Sequence, residues 1–176
     1  MDKKFLLSPI LDLSQSAVDE IIKCNETTSR YGLVLSPHEA KELVETRNNT
    51  LKDHGRVEFG GGIINKLIEA FCDSPYISQK DYPSILHELI ETFYYYKNET
   101  LDELSDDELI DLMKDYFNNK CHGSIELLQN RDLDKIAKNI RFGEYEYDSE
   151  DKDDGADEYF FGEDYEWARV LKNIIP

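Results

Sequence analysis

Residues 36–51 read Ser36-Pro37-His38-Glu39-Ala40-Lys41-Glu42-Leu43-Val44-Glu45-Thr46-Arg47-Asn48-Asn49-Thr50-Leu51. Ser36 can cap a helix, Pro37 suits its first position, and Glu39 completes a capping box. Ala40, Leu43, Val44, Arg47 and Leu51 then recur at three- and four-residue intervals, the period of one helix face. Gly55 ends the pattern. A half-buried strand would instead alternate every second residue.

The same period governs the flanks. A first helix is expected from near Ser14 or Ser16, with Val18, Ile21, Ile22 and Asn25 on one face and Gly32 just past its end. Gly60 to Gly62 open a helix with Ile63, Ile64, Leu67, Ile68 and Phe71 inward, and Asp73-Ser74-Pro75 stops it. Pro83 seeds another, striped by Leu86, Leu89, Ile90 and Phe93. Ser105 to Glu108 form a second capping box, leading Leu109, Leu112, Met113, Tyr116 and Phe117, with Gly123 behind. Short helices around Ser124–Gln129 and Leu133–Ile140 follow, and Gly143 ends the regular pattern. The spacing therefore predicts an all-α orthogonal bundle of about six to eight helices. The most β structure it allows is a tiny two-stranded element near 33–35 and 57–59. An α/β sheet needs several β-branched runs that this chain lacks.

The formal charge is −18 over 176 residues. Such a surface repels nucleic acid and anionic membranes, so direct binding to either is not expected. Residues 144–176 carry 12 acids against 3 bases, and residues 1–143 carry 26 against 17. Half the excess thus sits in the last fifth of the chain, which marks a boundary. We read 1–143 as a helical domain, 144–158 as an acidic linker, and 159–176 as an aromatic and amphipathic helical segment. In the last, Tyr159, Phe160 and Phe161 precede Trp167, Val170, Leu171 and Ile174 at helical spacing. Cys24, Cys72 and Cys121 form no disulfide framework, which fits a reducing compartment. Pro9 and Asp12 interrupt the N-terminal apolar stretch before it reaches signal-peptide length, and no run approaches a membrane span. The expected location is cytoplasmic.

Arg47-Asn48, the run from Gly55 to Gly62 and the run from Ala70 to Tyr76 together resemble a bacterial domain family of unknown function, found mainly in Firmicutes. Phe93-Tyr94-Tyr95, Leu104 to Glu108 and Ile140-Arg141 are similar to it too. The resemblance covers about residues 14–142 and leaves the tail outside. It implies a bacterial cytoplasmic protein and transfers no activity.

The glycine run is the most informative candidate site. Amides of Gly60, Gly61 and Gly62 before a helix, with Arg47 and Arg56 near in sequence, could hold a carboxylate or phosphate. It is not a P-loop, because no Gly-Lys-Ser/Thr follows. The competing reading is a turn organised by Glu58 paired with Arg47 or Arg56. His38/Glu42 and His87/Glu91 have one-face helical spacing for a metal but no third ligand. Cys121 has no spaced partner for zinc, and sequence names no base to make it a nucleophile. Aligning Gly155 with a calcium-loop glycine puts Lys152 and Phe161 where oxygen ligands belong, so that loop is rejected. Tyr94, Tyr95 and Tyr96 must partly face the core beside Phe93.

No catalytic constellation, cofactor or metal is therefore predicted. The leading expectation is a protein-interaction or regulatory module whose partner is another protein. Tyr159, Phe160, Phe161, Trp167, Val170, Leu171 and Ile174 are its candidate contact residues. They could dock on their own domain or in a partner's groove. The alternatives are a small-anion binder or small enzyme at Arg47, Arg56 and Gly60 to Gly62, and an acidic mimic of DNA.

Overall fold

Both capping boxes form. Ser36 Oγ accepts from Glu39 N at 3.3 Å while Glu39 Oε2 accepts from Ser36 N at 2.7 Å. Ser105 and Glu108 repeat the same two distances. Each box satisfies two amides that a helix start would otherwise leave bare. The computed structural model describes residues 4–142, with side chains from Leu13 onward. Its helices are α1 (Lys4–Lys23), α2 (Asn25–Thr28), α3 (Pro37–Asp53), α4 (Gly62–Phe71), α5 (Tyr82–Glu99), α6 (Asp106–Asn119), α7 (Ile125–Leu127) and α8 (Asp134–Phe142). A 3₁₀ turn, Ser29–Tyr31, follows α2. The fold is all-α, and no strand occurs among the described residues.

Helix α5 is the hub. It packs against α3, α4, α6 and α8, while α1 lies against α3 and α4. The predicted stripes are the core: Leu43, Ile64, Leu67, Phe71, Leu89, Ile90, Met113 and Phe117 are all inaccessible to solvent. Burying such a side chain contributes roughly 1.5–3 kcal/mol, so the stripes outweigh any single polar contact described below. Phe71 and Phe117 meet edge to face at 5.5 Å, which locks α4 on α6.

Three expectations are corrected. Helix α1 begins at Lys4, well before Ser14 and Ser16. Serine inside a helix costs less than about 0.7 kcal/mol relative to alanine, so it permits a start without forcing one. Secondly, residues 33–35 and 57–59 do not pair. Side-chain carboxamides take the place of a partner strand along Val34 and Leu35. Asn25 bonds Leu35 N and O at 2.9 and 2.8 Å, and Gln79 bonds Val34 N and O at 2.7 and 2.9 Å. Thirdly, the two short helices expected after Gly123 are one run, because a π turn, Leu128–Leu133, joins α7 to α8. The wider turn turns a carbonyl sideways: the Tyr96 hydroxyl donates to Gln129 O.

Candidate functional site

The loop between α3 and α4 wears its polarity inside out. Val57 and Phe59 are 80% and 70% exposed, while Glu58 between them is turned inward. Extended backbone sends alternate side chains to opposite faces, so fixing one fixes both neighbours. Glu58 is fixed at both oxygens. Oε1 accepts from Ile63 N at 3.0 Å, in the first turn of α4, and Oε2 accepts from the Tyr94 hydroxyl. Burial, reinforced by that carboxylate, pushes the Tyr94 hydroxyl well above the ordinary tyrosine range.

A second carboxylate arrives from α1. Glu20 Oε2 accepts from Gly61 N at 2.6 Å. The approach needs glycine at two places. Gly60 and Gly62 have φ of 64° and 49°. A Cβ on Gly60 would lie 2.8 Å from Glu20 Oε2, and one on Gly62 would lie 2.5 Å from Glu58 Oε1. The start of α4 is thus a built anion site whose anions belong to the chain itself.

The two arginines of the sequence reading separate here. Arg47, 3% exposed, donates from Nη1 to Gly60 O and from Nε and Nη2 to Asn48 Oδ1 at 3.2 Å. Arg56 instead pairs with Asp102 at 2.6 Å. Its hydrogen bond holds the Asp102 carboxyl below the ordinary range. Neither arginine pairs with Glu58, so the ion pair weighed above does not organise the turn. Tyr159, Phe160, Phe161, Trp167, Val170, Leu171 and Ile174 lie outside the described residues, as does the linker 144–158.

The Arg56–Asp102 pair brings the loop to the far end of α5. There Leu101 and Asp102 both adopt positive φ, 53° and 59°, and Leu101 is 57% exposed. A leucine held this way costs on the order of 1–3 kcal/mol, so the turn keeps an apolar group in water under strain. Arg141 pairs with Glu99 at 2.7 Å, which places the end of α8 and its 63%-exposed Phe142 at the same end of α5. Val57 and Phe59 thus form an exposed apolar ridge on the loop, while Leu101 and Phe142 are exposed on the turn after α5 and at the end of α8. Beside the ridge lies a cleft of about 290 Å³, floored by Leu51, Phe93 and Tyr94 and edged by Arg56 and Lys97. Sequence reasoning missed the ridge; its signal was Val-Glu-Phe, alternating in an otherwise helical chain.

A larger cleft, about 600 Å³, opens between α3, α5 and the π turn. Asp53, His54, Glu91, Tyr95, Asn130 and Asp134 line it. Gln129 Nε2 donates to Thr92 Oγ1 at 2.5 Å beneath it. This cleft too was missed, because it depends on the π turn, which has no simple sequence signal.

The remaining candidates resolve into packing. His38 Nδ1 meets Glu42 at 3.2 Å on an exposed face, and His87 Nδ1 is 2.7 Å from Thr46 Oγ1, so it faces α3 rather than Glu91. Among the described residues no three metal-ligating side chains converge. Cys121 donates to Asp132 Oδ2 at 3.1 Å, and burial with that carboxylate pushes its thiol up to about 12. A thiol so raised is a poor nucleophile at neutral pH. Tyr94 and Tyr96 are buried and Tyr95 is exposed.

The fold and loop define a helical domain with an internally capped α4 and an exposed apolar ridge. Residues 20–146 match the model of a family of unknown function, DUF6323, and the chain belongs to that family. No curated protein and no solved structure matches the chain. None of the described helices is long and apolar enough to cross a membrane.

Proposed function

We propose that this protein is a protein-interaction module that binds another protein through the ridge of Val57 and Phe59. The observation that carries this reading is the inverted loop. A charged residue spends its hydrogen bonds indoors so that a valine and a phenylalanine stand in water. Apolar anchors held rigid before binding lose little entropy on docking, which is what an interface hot spot requires. The test compares proteins captured by the full chain and by its Phe59→Asp variant in the native host. A partner retained by wild type and by Tyr95→Ala, on another face, but lost with Phe59→Asp is expected. Capture indifferent to Phe59→Asp contradicts the reading.

A second reading has its own observation, the polar cleft beside the π turn. Its carboxylates Asp53, Glu91 and Asp134 with Tyr95 suit a small cationic ligand rather than an anion. The small-anion alternative at Arg47, Arg56 and Gly60 to Gly62 meets a physical obstacle. Glu20 occupies the Gly61 amide and Glu58 the neighbouring Ile63 amide, so an external anion would have to enter beside two carboxylates against charge repulsion. The DNA-mimic alternative draws no support from the helix faces, where acids are interleaved with bases, as in Lys41–Glu45 and Lys138–Asp134.

A further inference from the structure

We infer that the cleft between α3, α5 and the π turn binds a linear aliphatic polyamine, with one ammonium group held by Asp53 and another by Glu91. This rests on the cleft taking a cationic ligand and adds the ligand's chemical class.

The first argument is charge. Asp53, Glu91 and Asp134 line the cleft, and its lining holds no lysine or arginine. Asp134 already spends an oxygen on Lys138 at 2.7 Å. Asp53 and Glu91 have no ion pair among the described residues. A cleft lined by one sign of charge focuses its field and concentrates counter-ions.

The second argument is what the lining excludes. An anion meets no lysine or arginine there. A metal ion needs several ligands converging on one point, and among the described residues no such group exists. An apolar molecule would strip water from the carboxylates and from the amides of Gln129 and Asn130 without replacing it. A quaternary ammonium carries no N–H and would leave the same acceptors unpaired. What remains is a cation that donates hydrogen bonds and whose charges are spaced apart.

The third argument is placement. Asp53 is the last residue of α3 and Glu91 lies in the middle of α5, so the two carboxylates come from different walls. Tyr95 lies one turn beyond Glu91 on the same face of α5. Its ring meets Tyr96 edge to face at 5.0 Å, and the Tyr96 hydroxyl is tied to Gln129 O. Tyr95 is thereby supported beside the carboxylate, where methylenes or an ammonium can lie against its face. Gln129 spends its amide nitrogen on Thr92 at 2.5 Å, which leaves its side-chain oxygen to accept. A volume of about 600 Å³ suits a chain of this size rather than a bare ion.

The experiment follows the backbone amides of the isotopically labelled full chain by NMR at physiological ionic strength. The probes are spermidine, putrescine, n-butylamine, tetramethylammonium and magnesium. Both polyamines are expected to shift amides at the end of α3, from Glu91 to Tyr96, and at Gln129 and Asn130. They should bind about tenfold more tightly than n-butylamine, because the second ammonium adds a charge-assisted bond. Asp53→Asn and Glu91→Gln should each weaken spermidine about tenfold. Both side chains are exposed, so these replacements leave the core untouched. Glu42→Gln removes the same charge from α3 outside the cleft and should change binding less than about twofold. Equal weakening by all three variants marks diffuse attraction to an acidic surface and overturns the inference, as does magnesium matching the polyamines. If n-butylamine or tetramethylammonium shifts the cleft amides at the same concentrations as spermidine, the polyamine assignment ends and a cationic ligand stands. Cleft amides unmoved by every probe would end both.

Discussion

The starts of α3 and α6 and the start of α4 solve one problem in two ways. All three must satisfy amides that have no helical partner. Helices α3 and α6 use a serine and a glutamate three residues apart, Ser36/Glu39 and Ser105/Glu108. Helix α4 has no such cap, and its N-terminus is served by Glu58 from the preceding loop and Glu20 from α1. A local cap fixes only its own helix. The long-range cap also ties α1 to the loop and decides which side chains of that loop face water. The difference teaches that a helix start can serve as a positioning device for what lies outside it.

Removing the long-range cap should cost most. Glu58→Ala leaves Ile63 N and the Tyr94 hydroxyl without their acceptor, and a loss of about 3 kcal/mol is expected in chemical denaturation. Glu58→Gln, which keeps an acceptor, should recover part of it. Glu20→Ala removes one charge-assisted bond, and about 1.5–2 kcal/mol is expected by the same measurement. Ser36→Ala and Ser105→Ala should each cost about 1 kcal/mol, and the two should add because they cap separate helices. Were either serine to exceed Glu58, the contrast between local and long-range caps would be broken.

A pH series sharpens it further. Hydrogen bonds from Ser36 hold the Glu39 carboxyl below its ordinary value of 4.5, and those from Ser105 do the same for Glu108. A depressed carboxyl contributes stability that is present above the unfolded value and lost as pH falls through the folded one. Stability should therefore decline below about pH 4.5, and the Glu39→Gln/Glu108→Gln double variant should show a shallower acid limb in thermal melts. The smallest effect belongs to the ridge. Val57→Asp should change stability by less than about 0.5 kcal/mol, since that side chain stands in solvent.

Much of the fold was legible because its signals are local. The stripes from Val18 to Phe117, the two serine caps and the stop at Asp73-Ser74-Pro75 each need only a few neighbouring residues to read. Arg47 on an apolar stripe raised the question of a buried charge's partner, and the glycine run raised that of what its amides meet. What failed was the identity of the partners. Arg47 takes the Gly60 carbonyl and Asn48, and the anions are Glu20 and Glu58. Glu20 sits 41 residues before Gly61, and no spacing rule connects them. The missing β pair has the same cause, since Gln79 reaches Val34 across 45 residues. The ridge was hidden in an unremarkable Val-Glu-Phe, just as the φ of Leu101 is one that no composition reveals.

Residue-resolved amide hydrogen exchange puts the central claim to the most direct trial. If Glu20 and Glu58 cap α4 from outside, the Gly61 and Ile63 amides will be protected to the degree of Ile64, whose amide donates to Gly61 O at 3.0 Å. Added phosphate will leave them unmoved. Exchange of Gly61 and Ile63 at the rate of open loop amides while Ile64 stays protected would contradict the account, and with it the reason Val57 and Phe59 face outward.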